Sequence, residues 1–180
     1  VMVYVISSIE GSVAPPRSPL HEWPDVKRIL FTSKDVRVPG WETRNHKWSS
    51  SLSQHTHRRS AKLAKVMWPT LIKASKNDVV VWHDANHDLL KHPLEIIEPN
   101  NAYLNIYQHC YGNSIEKEKK EIEAAKREDR VLLDRCESII YRISKKEDAV
   151  YSGSCAIYDM SMFDDAALSF HLTWWEIICA

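Results

Sequence analysis

The densest group of side chains able to do chemistry is His83-Asp84-Ala85-Asn86-His87-Asp88. Asp84 and Asn86 are two oxygen donors separated by a small residue. On a tight turn such a pair can hold a hard divalent cation, and the cation can in turn grip a diphosphate. The same pair also suits a plain turn, because Asp and Asn hydrogen-bond to nearby backbone. His83 and His87 flank the pair and raise a zinc alternative, which needs a third ligand and an open position. Asp88 and His171 stand in reserve as further metal donors.

A second group is basic. Arg58, Arg59, Lys62 and Lys65 share the stretch 57–67, whose Ala61, Leu63, Ala64, Val66 and Met67 form an apolar side. An amphipathic helix follows from that pattern. Its basic side is either a solvated face or a source of one or two phosphate contacts, with Arg59 and Lys62 the candidates.

These groups need a frame to hold them. Val79-Val80-Val81-Trp82 is a continuous β-branched and aromatic run, the pattern of a strand buried on both faces, and it stops on the acidic turn. Residues 2–7 and 26–32 read as further strands that also end in polar residues. Four prolines make residues 12–24 an irregular loop, and residues 36–52 read as a long surface loop with Trp41 and Trp48. Pro69 starts a short helical turn, and 94–97 is another apolar piece. Residues 102–107 and 155–158 suit strands, while 113–126, 130–144 and 164–179 suit helices. Strands alternating with helices predict an α/β sandwich with a mostly parallel central sheet. In such sheets ligands bind at the carboxyl edge, where separate strand ends build one site.

Composition narrows the function classes. The chain has 180 residues, enough for a single domain. Lys plus Arg equals Asp plus Glu at 24 each, so no global basic field favours nucleic acid. Cys110, Cys136, Cys155 and Cys179 form no C-x-x-C pair and read as free thiols of a reducing, cytoplasmic compartment. Val1–Ile6 lacks the basic start of a signal peptide and reads as a strand. No run reaches the ~18 apolar residues of a membrane span. Four glycines leave no Gly-rich phosphate loop.

The ordered set Arg59-Ser60-Ala61-Lys62, Val79 to Asn86, Gln108-His109, Asn113-Ser114-Ile115-Glu116-Lys117-Glu118 and Trp174-Trp175-Glu176-Ile177 resembles the GT-A fold of nucleotide-sugar glycosyltransferases. It is most similar to the small glycosyltransferase domain of large algal viruses and its plant and bacterial relatives. The resemblance covers most of the chain. It implies a Rossmann-like sandwich whose nucleotide-binding part spans about 1–100 and whose acceptor part spans about 101–180. It implies a hexosyltransferase using Mn2+ or Mg2+, a nucleotide-sugar donor such as a UDP-sugar, and a glycan or glycoprotein acceptor. For a viral chain the compartment would be the host cytoplasm. The motif here is D-A-N where the family has D-x-D, and relatives carry a further polar segment after the W-W-E-I helix.

In that family the first two strand ends bind the nucleoside, which points to Ser7, Ser8 and Asp35. Arg59 and Lys62 would meet the diphosphate, Asp84 and Asn86 the metal. His109 and Glu118 would line the donor-sugar pocket. Transfer to a hydroxyl with inversion needs a general base. The late carboxylates are Asp159, Asp164, Asp165 and Glu176, with Glu176 favoured by the resemblance. Trp174 and Trp175 would stack on sugar or fill the core. Two other classes use the same residues: a metal-dependent phosphoesterase or nucleotide hydrolase, and a non-catalytic nucleotide-sugar-binding module.

Overall fold

Alternating β-branched residues put Val3, Val5, Val79 and Val81 on one side of a sheet and Ile6, Ile29, Phe31 and Val80 on the other. Both sides are buried, which is why 79–82 reads as a continuous apolar run. The computed structural model describes residues 1–11, 13–45, 56–97, 102–108, 120, 123, 124 and 151–179. Its strands are β1 (Val3–Ile9), β2 (Val26–Thr32), β3 (Glu42–Asn45), β4 (Val79–His83), β5 (Leu104–Gln108) and β6 (Tyr151–Asp159). Its helices are α1 (Thr56–Val66), α2 (Trp68–Leu71), α3 (Pro93–Ile96) and α4 (Asp165–Cys179).

The sheet order is β3-β2-β1-β4-β6-β5. β1 pairs in parallel with β2 and β4, and β2 pairs in parallel with β3. β6 runs antiparallel to β4, from His83↔Cys155 to Val79↔Asp159. The protein is thus α/β with a mostly parallel, mixed sheet. The carboxyl ends of β1, β2 and β4 fall on one edge.

The chain divides into two compact units, Val1–Asn105 with Ser154–Cys179, and Ile106–Gly153 with Ala180. The late residues 154–179 therefore return to the first unit, and the division falls within β5 and β6. In the second unit Lys120, Glu123 and Ala124 are helical, and Ile106–Gln108 and Tyr151–Gly153 continue β5 and β6. The helices expected over 113–126 and 130–144 otherwise lie outside the described residues.

Within the first unit, Ala64 of α1 and Trp68 of α2 pack on Ile6, Phe31, Trp82 and Tyr158. α4 packs on α1. Its buried His171 accepts from the Tyr103 hydroxyl at 2.7 Å and donates through Nδ1 to the Val66 carbonyl. Leu89, Ile96 and Trp23 cover the opposite face.

Some spans differ from expectation: β1 continues past residue 7 to Ile9, and β6 begins at Tyr151, through residues 152–154 that read as a turn. Residues 42–45, expected in a loop, form the edge strand β3. Its residues Glu42-Thr43-Arg44-Asn45 carry no apolar alternation, so backbone pairing with β2 holds it, with the cross-strand ion pair Lys27–Glu42 at 2.8 Å. The apolar piece at 94–97 is a helical turn from Pro93, capped by His92 accepting from the Leu94 N–H.

Candidate functional site

β4 delivers the acidic turn to the carboxyl edge. The Asp84 carbonyl accepts from the His87 N–H at 2.9 Å, closing a turn over 84–87, and His83 Nδ1 donates to the same carbonyl at 2.9 Å. Trp82 Nε1 donates to Asp84 Oδ1 at 3.2 Å. The ordinary turn role and an open carboxylate thus coexist. Asn86 is exposed beside it.

A cleft of about 920 Å³ opens on this turn. Asp84, Asn86, His87 and Asp88 form one part of its lining, with Ser8 and Trp82 from the strands. Lys62 and Lys65 line it from α1, one turn apart and therefore on one helix face. Trp41 and residues of the proline-rich loop, among them Arg17, complete it.

The electrostatics are mixed. Burial lowers the Lys65 ammonium pKa from its ordinary value, while nearby Asp84 pushes it back up. That ammonium also lies 5.7 Å from the Trp82 ring centroid, within cation–π range. Burial pushes the half-buried Cys155 thiol up, and Asp84 adds to this. Burial lowers His83, partly opposed by its bond to the Asp84 carbonyl.

The structure brings Asp84, Asn86, Lys62 and Ser8 together, and adds Lys65 and Arg17. Arg59 lies on α1, but its side chain, like all of His109 and Glu118, lies outside the described residues. Ser7 does not line the cleft. Its side chain is buried on the opposite face from Ser8, since successive strand residues alternate, and its hydroxyl has no partner among the described residues. Asp35 is exposed beyond β2 and does not line the cleft either. The carboxylate that organises those strand ends is the buried Glu10, which accepts from the Ser33 N–H at 2.9 Å and from the Ser33 hydroxyl.

The late carboxylates lie apart from the cleft. Asp159 pairs with Val79, at the far edge of the sheet from Asp84, and caps the turn Met160–Met162 by accepting from Ser161 N–H at 2.9 Å. Asp164 accepts from the Ala167 N–H at 2.8 Å at the start of α4, and Asp165 stands in that helix's first turn. Glu176 is exposed on α4 and does not line the cleft. Trp174 stacks on Phe170, ring centroids 5.4 Å apart. His171 is committed to two protein partners and is no metal donor in this arrangement.

Could this turn hold a cation? Among the described residues no group of three or more His, Cys, Asp or Glu forms a metal cluster. The zinc alternative accordingly finds no third ligand there, and His83 spends one ring nitrogen on backbone and buries the other. Asp88 uses both oxygens on backbone, Oδ2 for Leu20 N–H and Oδ1 for Leu89 N–H, each at 2.8 Å. Asp84 and Asn86 remain. A carboxylate and an amide on residues that line an open cleft fit Mg2+ or Mn2+, which keep waters and take phosphate oxygens.

No family model and no curated protein matches the chain. No helix among the described residues is long and apolar enough to cross a membrane.

Proposed function

We propose that the protein is a divalent-cation-dependent glycosyltransferase of the GT-A type, moving a sugar from a UDP-sugar to a hydroxyl of a glycan or glycoprotein. The observation that carries this reading is the cleft in which Asp84 and Asn86 share one lining with Lys62 and Lys65. A diphosphate needs both a cation and basic side chains around it. When bound, Mg2+ or Mn2+ would neutralise the departing nucleoside diphosphate. Asp84 supplies the anionic ligand and Asn86 a neutral one. Lys62 and Lys65 offset the remaining phosphate charge, and the partly desolvated Lys65 does so in a medium where such contacts are stronger than in water. Ser8 Oγ, buried at the cleft without a partner among the described residues, offers a hydrogen bond to the nucleoside. The sandwich, with three strand ends on one edge, is compatible with this fold type.

Titration calorimetry with UDP tests the reading. UDP is expected to bind with Mn2+ at least as well as with Mg2+, and to lose affinity by about 10-fold or more in EDTA or in Asp84→Asn, the scale of a lost charge-assisted contact. Circular dichroism should show Asp84→Asn folded. Equal UDP affinity with and without metal would remove the proposal. Hydrolysis of the nucleotide sugar faster than transfer to any acceptor would replace it with the hydrolase reading.

A further inference from the structure

Residues 13–20 form one wall of the cleft through Val13, Ala14, Pro15, Arg17, Ser18 and Leu20. They have no regular secondary structure, and their prolines forbid most backbone pairing. A few point contacts hold them. The Leu20 N–H donates to Asp88 Oδ2 at 2.8 Å, the Arg17 carbonyl accepts from Trp41 Nε1 at 3.3 Å, and Lys34 Nζ donates to the Val13 carbonyl at 2.7 Å. Pro19 seats against Gly40, where an added Cβ would lie 2.7 Å from the proline Cδ. The contact to Asp88 ties this wall to the acidic turn itself, since the other Asp88 oxygen is held by Leu89 N–H.

Arg17 is the one cationic side chain that the wall contributes to the cleft lining. Its guanidinium carries five donors in a planar fork suited to phosphate. We propose that residues 13–20 are a strap, clamped by Asp88, that places Arg17 as an additional binding residue on the phosphates of the cleft ligand. The assignment of phosphates rests on the function proposed above; the clamp does not. Asp88 is here a positioning residue: it fixes the strap relative to Asp84, so occupancy of the turn and the place of Arg17 are coupled. Releasing the strap opens the lysine side of the cleft and removes Arg17 at once.

Two measurements separate these parts. The first is acylation of lysines by a small amine reagent, followed by mass spectrometry, with exposed Lys76 as internal reference. Leu20→Pro removes the N–H that Asp88 accepts and leaves the Asp88–Leu89 contact intact. Labelling of Lys62 and Lys65 should rise several-fold in Leu20→Pro and in Asp88→Ala, with the double variant no higher than either. Wild-type labelling rates in Leu20→Pro would overturn the clamp. The second is calorimetry with UDP and Mn2+. Arg17→Ala should leave lysine labelling unchanged and weaken UDP by about 10-fold. Unchanged affinity would overturn the role of Arg17. If UDP binds neither wild type nor variants, the nucleotide reading fails and Arg17 with it, while the labelling result still decides the strap.

Discussion

His171 sits wholly inside the first unit, with one ring nitrogen on the Tyr103 hydroxyl and the other on the Val66 carbonyl. Burial lowers its pKa below the ordinary 6.5. The unfolded chain therefore binds a proton in the window between the folded and unfolded values that the folded chain refuses. Stability is present in full above about pH 6.5 and declines as pH falls through that window. Thermal melts between about pH 7 and about pH 5 should show a falling melting temperature. His171→Gln, which does not titrate, should flatten that slope; an identical slope in the variant would show that this imidazole stays neutral or uncoupled. The individual residues of the cleft were only partly legible in the sequence. Asp84, Asn86 and Lys62 announce themselves by type and spacing. The choice between Ser7 and Ser8 depends on which sheet face carries α1, and no local pattern states that. Asp159 and Asp164 are carboxylates of the right type whose oxygens cap a turn and a helix, a use that Asp favours at such ends. Lys65 lies over the Trp82 ring and beside Asp84, a placement set by packing that the sequence does not state.

Among the elements, the segment Pro39-Gly40-Trp41 supports the strap from below. Gly40 has φ +77°, a left-handed conformation, and its missing side chain leaves room for Pro19. Gly40→Ala should cost about 1–3 kcal/mol for the backbone conformation alone, with the Pro19 clash added. Urea unfolding would measure it, and a loss under about 0.5 kcal/mol, the scatter of ordinary surface substitutions, would mean the loop relaxes freely. The central strands were marked in sequence by their β-branched and apolar cores, most plainly in β4, whose residues are all buried. β1 and β2 keep that core beside Ser7-Ser8 and Lys27-Arg28. β2 in particular runs over Val26–Thr32, as its apolar core suggests. β3 was invisible for the opposite reason. An edge strand with Glu, Thr, Arg and Asn needs only backbone partners, and composition does not report those.

At the scale of the whole molecule, the equal counts of acidic and basic residues agree with a local, not global, charge arrangement. The sheet is closed late. β4 is an interior strand because Cys155–Asp159 pairs along its second side, from a segment more than 70 positions downstream of the strand it completes. Until that segment arrives, β4 exposes unpaired N–H and C=O groups on a flat, apolar strand, the sort of edge that recruits other chains. During synthesis from the N-terminus, β1, β2 and β4 leave the ribosome well before their closing strand does. The nascent chain thus passes through a sticky stage that its own sequence order imposes. A fragment ending at residue 105 should aggregate on expression, and co-expression of residues 154–179 should restore soluble material. A soluble monomeric fragment would show that the three parallel strands guard their open side by themselves. Where chaperones are limiting, yield of the full chain should then follow the elongation rate across residues 106–153 more closely than the final stability of the fold.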